Sequence, residues 1–195
     1  TNPRTALESA YLDTQSQIER THGHEAAFSG TTAVSAYQHG DQLLVANVGD
    51  SRAVLGVCDT GRGEGGRQSP GNLTAVELSN DHKPGRSDER QRIQESGGTV
   101  QQRSFPVHSP GGGLRFVKMG PERVMDRTGL GGLAMSRSLG DLSFRPYVSA
   151  QPELLERQLN HKDKVLILGS DGVWDHISSQ EAVNIAGRQR DPAVA

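Results

Sequence analysis

The residues best placed to do chemistry are aspartates that stand just beyond apolar runs. In "VLILGSDGVWD" (165–175) the run Val165–Leu168 gives way to Gly169 and Ser170, then to Asp171 and Asp175 around the only tryptophan, Trp174. "VANVGDSR" (45–52) repeats the setting with an apolar run, Gly49 and Asp50. An aspartate at the carboxyl end of a buried strand is held by a rigid element and faces whatever cleft lies there. Carboxylates gathered at one rim repel each other unless a cation neutralises them. Oxygen ligands without a thiolate or histidine cluster suit hard cations such as Mg²⁺ or Mn²⁺. Water bound to such a cation is a nucleophile of lowered pKa, and the cation also shields phosphate charge. The chemistry implied is metal-assisted hydrolysis of a phosphate ester. The plain alternative is that Asp50 and Asp171 only bond turn amides, as aspartates often do.

Other constellations are weaker. Haloacid-dehalogenase phosphatases carry Asp-x-Asp-Gly after an apolar strand and use the first Asp as nucleophile. Here Gly169 stands in that place, so an aspartyl-phosphate cannot form. "THGHEAAF" (21–28) holds His22, His24 and Glu25, but a zinc pair on a helix needs i, i+4 histidines, so a helix end or turn is expected. His82 in "NDHKPG" reads as a structural hydrogen-bonding residue and Trp174 as a core anchor. Cys58 is the only cysteine, which leaves no internal disulfide and no thiolate metal cluster.

These residues need elements to position them. The 195 residues carry 33% hydrophobic and 23% charged residues and a formal charge of -2, with no apolar run long enough to span a bilayer and no basic balance that would favour nucleic acid. One domain is expected, and a start at Thr1 and an end at "DPAVA" read as a piece of something longer. Apolar spacing predicts a helix over 4–20, and alternation over 28–56 predicts a strand meander. The glycine-rich 59–72 reads as a loop, "LTAVELS" as a strand, and "SDERQRIQESGG" as a helix capped by Ser87 and stopped at Gly97 or Gly98. Residues 103–132 read as a long irregular segment, and "LAMSRSLGD" as a short helix and turn. "KVLILGS" should be a strand covered on both faces. Ser178 and Glu181 have capping-box spacing, which starts a last helix. Separated strand and helix clusters argue for an α+β fold, with antiparallel sheets and helices on their outer faces.

Taken together, "SGTTAV", "VANVGDSRAVL", "NDHKPGRSDERQRIQESGG", "GLAMSRSLGD" and "VLILGSDGVWDHIS" resemble, in order and spacing, the metal-dependent protein serine/threonine phosphatases of the PP2C family. The resemblance covers about residues 29 to 185. It implies an α+β sandwich of two antiparallel β-sheets flanked by helices, with a Mg²⁺ or Mn²⁺ pair whose water attacks phosphoserine or phosphothreonine without a phosphoenzyme. By motif, Asp171 matches a ligand of that pair, and Asp50, Asp171 and Asp175 match the carboxylates of a third, weaker metal. Residues 103–132 match a variable flap-like segment, which nominates Arg103, Arg115 and Lys118 as contacts to phosphosubstrate. The family's "DGHGG" stretch, its upstream phosphate-holding arginine and its late Asp-Asn pair have no counterpart here. Residues 1–195 are therefore expected to be the central part of such a domain, inactive alone, with no catalytic residue identifiable within it. The expected partners of the parent are phosphoprotein substrates, without nucleic acid or membrane; it is expected to be monomeric and intracellular, in cytoplasm and/or nucleus. The alternative is a pseudophosphatase that binds phosphoproteins without turnover.

Overall fold

The computed structural model of the chain describes residues 2–58 and 73–188. The loop expected at 59–72 lies outside the described residues. In chain order the elements are α1 (Pro3–His22), a 3-10 turn at Glu25–Ala27, β1 (Gly30–Thr31), β2 (Ala33–His39), β3 (Gln42–Val48), β4 (Arg52–Cys58) and β5 (Leu73–Glu77). They continue through α2 (Ser87–Glu95), β6 (Val100–His108), β7 (Leu114–Met125), β8 (Gly132–Leu133), β9 (Leu139–Gly140), β10 (Glu153–Gln158) and β11 (Asp163–Gly169), and close with α3 (Asp171–Trp174) and α4 (Ser179–Ala186). Among the described residues no helix is long and apolar enough to cross a membrane. The chain divides into two compact units, the first made of residues 1–11, 32–81 and 151–195, the second of 12–31 and 82–150.

In the first unit the strands form two antiparallel sheets, in the orders β10-β3-β2 and β11-β4-β5. The period-two alternation of strands decides what each face buries. Leu43 and Val45 of β3 meet Ala53 and Leu55 of β4, together with Leu78, in a core between the sheets. Ala46 and Val48 turn the other way, onto Leu7 and Tyr11 of α1. Val54 turns onto Trp174 and onto Ala182 and Val183 of α4. Each leucine or valine among them contributes about 1.5–3 kcal/mol by leaving water. Two antiparallel sheets with a helix over each outer face are the sandwich expected.

The cover on both faces expected for "KVLILGS" is incomplete in β11. Ile167 packs into the helical cluster. Leu166 and Leu168 lie beside Leu55 and Ala53, on the face toward the other sheet, yet stay 36% and 45% exposed because β11 is the last strand of its sheet.

The capping box is present. Ser178 Oγ accepts from Glu181 N, and the Glu181 carboxylate accepts from Ser178 N at 2.8 Å. Ser178→Ala is expected to cost about 1 kcal/mol, measured as a lower midpoint in thermal unfolding.

The second unit holds the sheet β6-β7-β8, the pair β1-β9 and a core of Ile93, Val124 and Val148. Helix α2 stops where expected: Gly97 adopts φ +84° and Gly98 N donates to Ile93 O at 2.9 Å. Its N-cap is Arg86, not Ser87, and makes no side-chain cap bond. Asp88 and Glu89 in the first turn complement the helix dipole instead.

Residues 103–132 are largely ordered as a long hairpin. Strands β6 and β7 pair from Val100↔Val124 to His108↔Leu114, with a register shift between Gln102 and Ser104. "LAMSRSLGD" is extended rather than helical, because tertiary bonds claim its amides. Ser136 N donates to His82 O at 2.8 Å and Ser138 N to Ser149 O at 3.0 Å.

Beneath α2 lies a buried charge. Glu89, 1% exposed, accepts from Arg137 Nη2 at 2.6 Å, Arg92 Nη2 at 2.8 Å and Ser136 Oγ at 2.6 Å. Burial pushes its carboxyl up, but the bonds from Arg137, Arg92 and Ser136 outweigh that and hold it well below the usual range. His82 is fully buried, and its backbone carbonyl also accepts from Ser136 Oγ.

Candidate functional site

Strand register decides whether the aspartates can meet. Gly169, at the end of β11, pairs with Arg52, at the start of β4. The β3–β4 turn that carries Asp50 and the Ser170–Asp171 step therefore emerge at the same end of the first unit's sheet. The turn is tight, with Gly49 at φ +104°, a backbone region that suits glycine. Asn47 Nδ2 braces it by donating to Gly49 O at 3.1 Å, and Ser51 Oγ bonds Thr32 Oγ1 at 2.8 Å. Asp50 is buried there, at 4% exposure.

Asp171 opens α3 and Asp175 caps it, with Asp175 N donating to Asp171 O at 2.8 Å. Residues four apart share one side of a helix, so both carboxylates lie on the same flank of this single turn, and both are exposed. Trp174 between them points inward at 8% exposure and donates its Nε1–H to Gly169 O at 2.7 Å. A Cβ at Gly169 would come within 3.0 Å of the indole ring. Position 169 thus has little room for any side chain, and the carboxylate of the excluded covalent mechanism would meet the indole.

At the same sheet end stands a residue that sequence reasoning missed. Arg52 forms a two-point pair with Asp81, Nε to Oδ1 and Nη2 to Oδ2, each at 2.9 Å. It also reaches Glu77 at 3.2 Å and Ser179 Oγ at 3.0 Å, and stands 5.4 Å from the Trp174 ring centroid. The hydrogen bonds to Asp81 raise its pKa further, with electrostatic help from Glu77 and Asp175. One guanidinium thereby ties β4, the segment after β5, α3 and α4 together and fixes the frame from which Asp171 projects. The only sequence signal was its place directly after "GDS".

Among the described residues no group of three or more His, Cys, Asp and Glu side chains gathers closely enough to hold a metal ion. A Mg²⁺ or Mn²⁺ ion needs six or so oxygens, so the described side chains do not by themselves make up a metal pair. Nor do His22, His24 and Glu25 form one, consistent with the helix end and 3-10 turn in which they lie. Arg103, Arg115 and Lys118 belong to the second unit, on β6 and β7.

Two sheets with flanking helices and a carboxylate-bearing sheet end define a class, and comparison with known proteins gives its identity. The family model described as Protein phosphatase 2C matches residues 1–193. This chain belongs to the protein phosphatase 2C family. It is 38% identical over 187 residues to "Probable protein phosphatase 2C 59" of Arabidopsis thaliana, covering 96% of this chain and 49% of that protein. It is 43% identical over 164 residues to "Probable protein phosphatase 2C 48" of Oryza sativa subsp. japonica, covering 83% of this chain and 41% of that protein. The chain thus spans less than half the length of these relatives. In fold it is similar to a serine-threonine phosphatase 2C from Toxoplasma gondii, with TM-score 0.73 and 24% identity over 95% of this chain and 55% of that one. It is also similar to a C. elegans sex determining protein, with TM-score 0.67 and 21% identity over 92% of this chain and 36% of that one.

Proposed function

We propose that this chain is the central part of a protein serine/threonine phosphatase domain whose parent hydrolyses phosphoserine and phosphothreonine in protein substrates with Mg²⁺ or Mn²⁺. The observation that carries the reading is the common sheet end of Asp50 and Asp171, in a chain that belongs to this family. In this reading Asp171 offers its carboxylate to one ion of the pair, and Asp50 and Asp175 serve a third, weaker one. The remaining ligands come from sequence on either side of this chain. The half-open face of β11 at Leu166 and Leu168 supports that division, because apolar side chains at a sheet end need a covering layer.

In the longer protein, hydrolysis of a phosphothreonine peptide should require added Mn²⁺ or Mg²⁺ and stop in chelator. Asp171→Asn should lower turnover by about a hundredfold or more while leaving the thermal midpoint nearly unchanged, since Asp171 is exposed. Turnover in chelator that matches turnover with metal would overturn the reading. Metal binding without turnover of any phosphopeptide would favour the non-catalytic alternative.

A further inference from the structure

The β6–β7 hairpin carries an unusual surface. Phe105, Leu114, Phe116 and Met119 are 44%, 58%, 70% and 54% exposed. Residues 96–121 contain Arg103, Arg115 and Lys118 but no aspartate or glutamate, in a chain whose overall charge is -2. None of these three cations has an ion-pair partner among the described residues, whereas Arg52, Arg86, Arg90, Arg92 and Arg137 are all paired. Register sets the two faces. Phe105 lies beside Val117 and Val107 beside Arg115 on one, while Pro106 lies beside Phe116 and Ser104 beside Lys118 on the other. Both faces pair an aromatic ring with a free cation. In the order β6-β7-β8, β6 is the edge strand, and among the described residues no strand pairs with its outer side.

We propose that this hairpin is a docking arm for an extended acidic segment of a partner protein. The segment adds alongside β6, chiefly over Val100–Phe105, before Pro106 removes a donor. Its carboxylates meet Arg103, Arg115 and Lys118, and its apolar side chains meet Phe105 and Phe116. Exposed aromatic and basic residues also suit an anionic membrane. The tip argues against that, because the most protruding residues, Ser109–Gly113, are a proline, a serine and three glycines with nothing to insert into hydrocarbon. An open strand edge, moreover, serves a peptide and not a lipid. The inference concerns binding alone and does not depend on the catalytic reading above.

The test uses a labelled peptide as long as β6 that repeats two glutamates and two valines, so that each face of the added strand carries both, read by fluorescence anisotropy against the chain. Binding is expected, weakening as salt rises, with no binding of the same peptide carrying lysine for glutamate. Reversing the charges together (Arg103→Glu, Arg115→Glu, Lys118→Glu) should raise Kd about tenfold or more, with an unchanged far-ultraviolet circular dichroism spectrum. Phe116→Ser, which leaves the charges intact, should weaken binding by a smaller factor. Failure of the glutamate peptide to bind, or equal affinity in the charge-reversed chain, overturns the proposal. So does preferential capture by phosphatidylserine vesicles over phosphatidylcholine vesicles when the peptide is not bound.

Discussion

Replacing Glu89 by alanine is expected to destabilise the unit that contains it by about 3–5 kcal/mol, the usual penalty for removing one partner from a buried ion pair. The carboxylate is buried, and Arg92 and Arg137 both aim at it, with Arg86 Nη2 a further 3.7 Å neighbour. Taking the carboxylate away leaves two guanidiniums that face each other without a counter-charge, and Ser136 Oγ without one of its acceptors. For a domain of ordinary stability, about 5–15 kcal/mol, that is a large share of the total, so urea denaturation should find the midpoint moved to clearly lower urea. Glu89→Gln separates the charge from the packing. The depressed carboxyl contributes stability that is fully present above its unfolded value near 4.5 and is lost as pH falls below it. The wild-type chain should therefore lose stability on acidification below about pH 4.5, and the Gln variant should show a shallower acid limb. An identical acid limb in both would mean that other carboxylates carry the acid response.

Trp174→Ala should cost a similar amount, about 3–5 kcal/mol, for different reasons. The indole fills the space among Val54, Ala182 and Val183, lies under the Arg52 guanidinium and satisfies Gly169 O. Alanine leaves a cavity, frees Arg52 on one side and orphans the carbonyl that ends β11. Trp174→Phe keeps much of the packing but has no N–H, so it should cost about 1–2 kcal/mol. The contrast is measurable by chemical denaturation. Near-equal costs for the two would mean that the hydrogen bond to Gly169, rather than volume, holds α3 against the sheet. On the function proposed above, the same indole supports the turn that presents Asp171 and Asp175, and the Ala variant in the longer protein should also lose activity beyond its loss of folded fraction.

What could be read from the sequence was local. Of the meander expected over 28–56, the hairpin of β2 and β3 was readable from the turn between them. Strand β4 instead crosses to the other sheet, where it pairs with β5 and β11. The dense run of β3, buried along nearly its whole length, has no period that would reveal the crossing. The final helix was readable because a capping box is a four-residue signal. The common sheet end of Asp50 and Asp171 was suggested by the repeated pattern of apolar run, glycine and aspartate, since strands that end alike tend to present alike. The misreadings arose where distant residues decide. "LAMSRSLGD" has fair helix formers, but His82 and Ser149 take its amides into extended pairings. The β6–β7 hairpin is exposed on both faces, so no hydrophobic period marks its strands. Glu89 sits in a charged helix that looks solvent-facing. Only the fold reveals that Arg137, far along the chain, comes back to meet it.

The pairing of Arg52 with Gly169 has a kinetic consequence. More than half of the chain lies between these two residues, and the second unit's segment 82–150 falls entirely within that interval. Closing so long a loop costs entropy before any contact repays it, whereas β2, β3 and β4 join through short turns. The carboxylate rim is thus expected to assemble from one early, local half and one late, distant half: Asp50 takes its place once the short turn between β3 and β4 forms, and Asp171 arrives only when β11 docks. A substitution in the segment from β2 to β4 should consequently slow folding, while one in α3 should chiefly hasten unfolding.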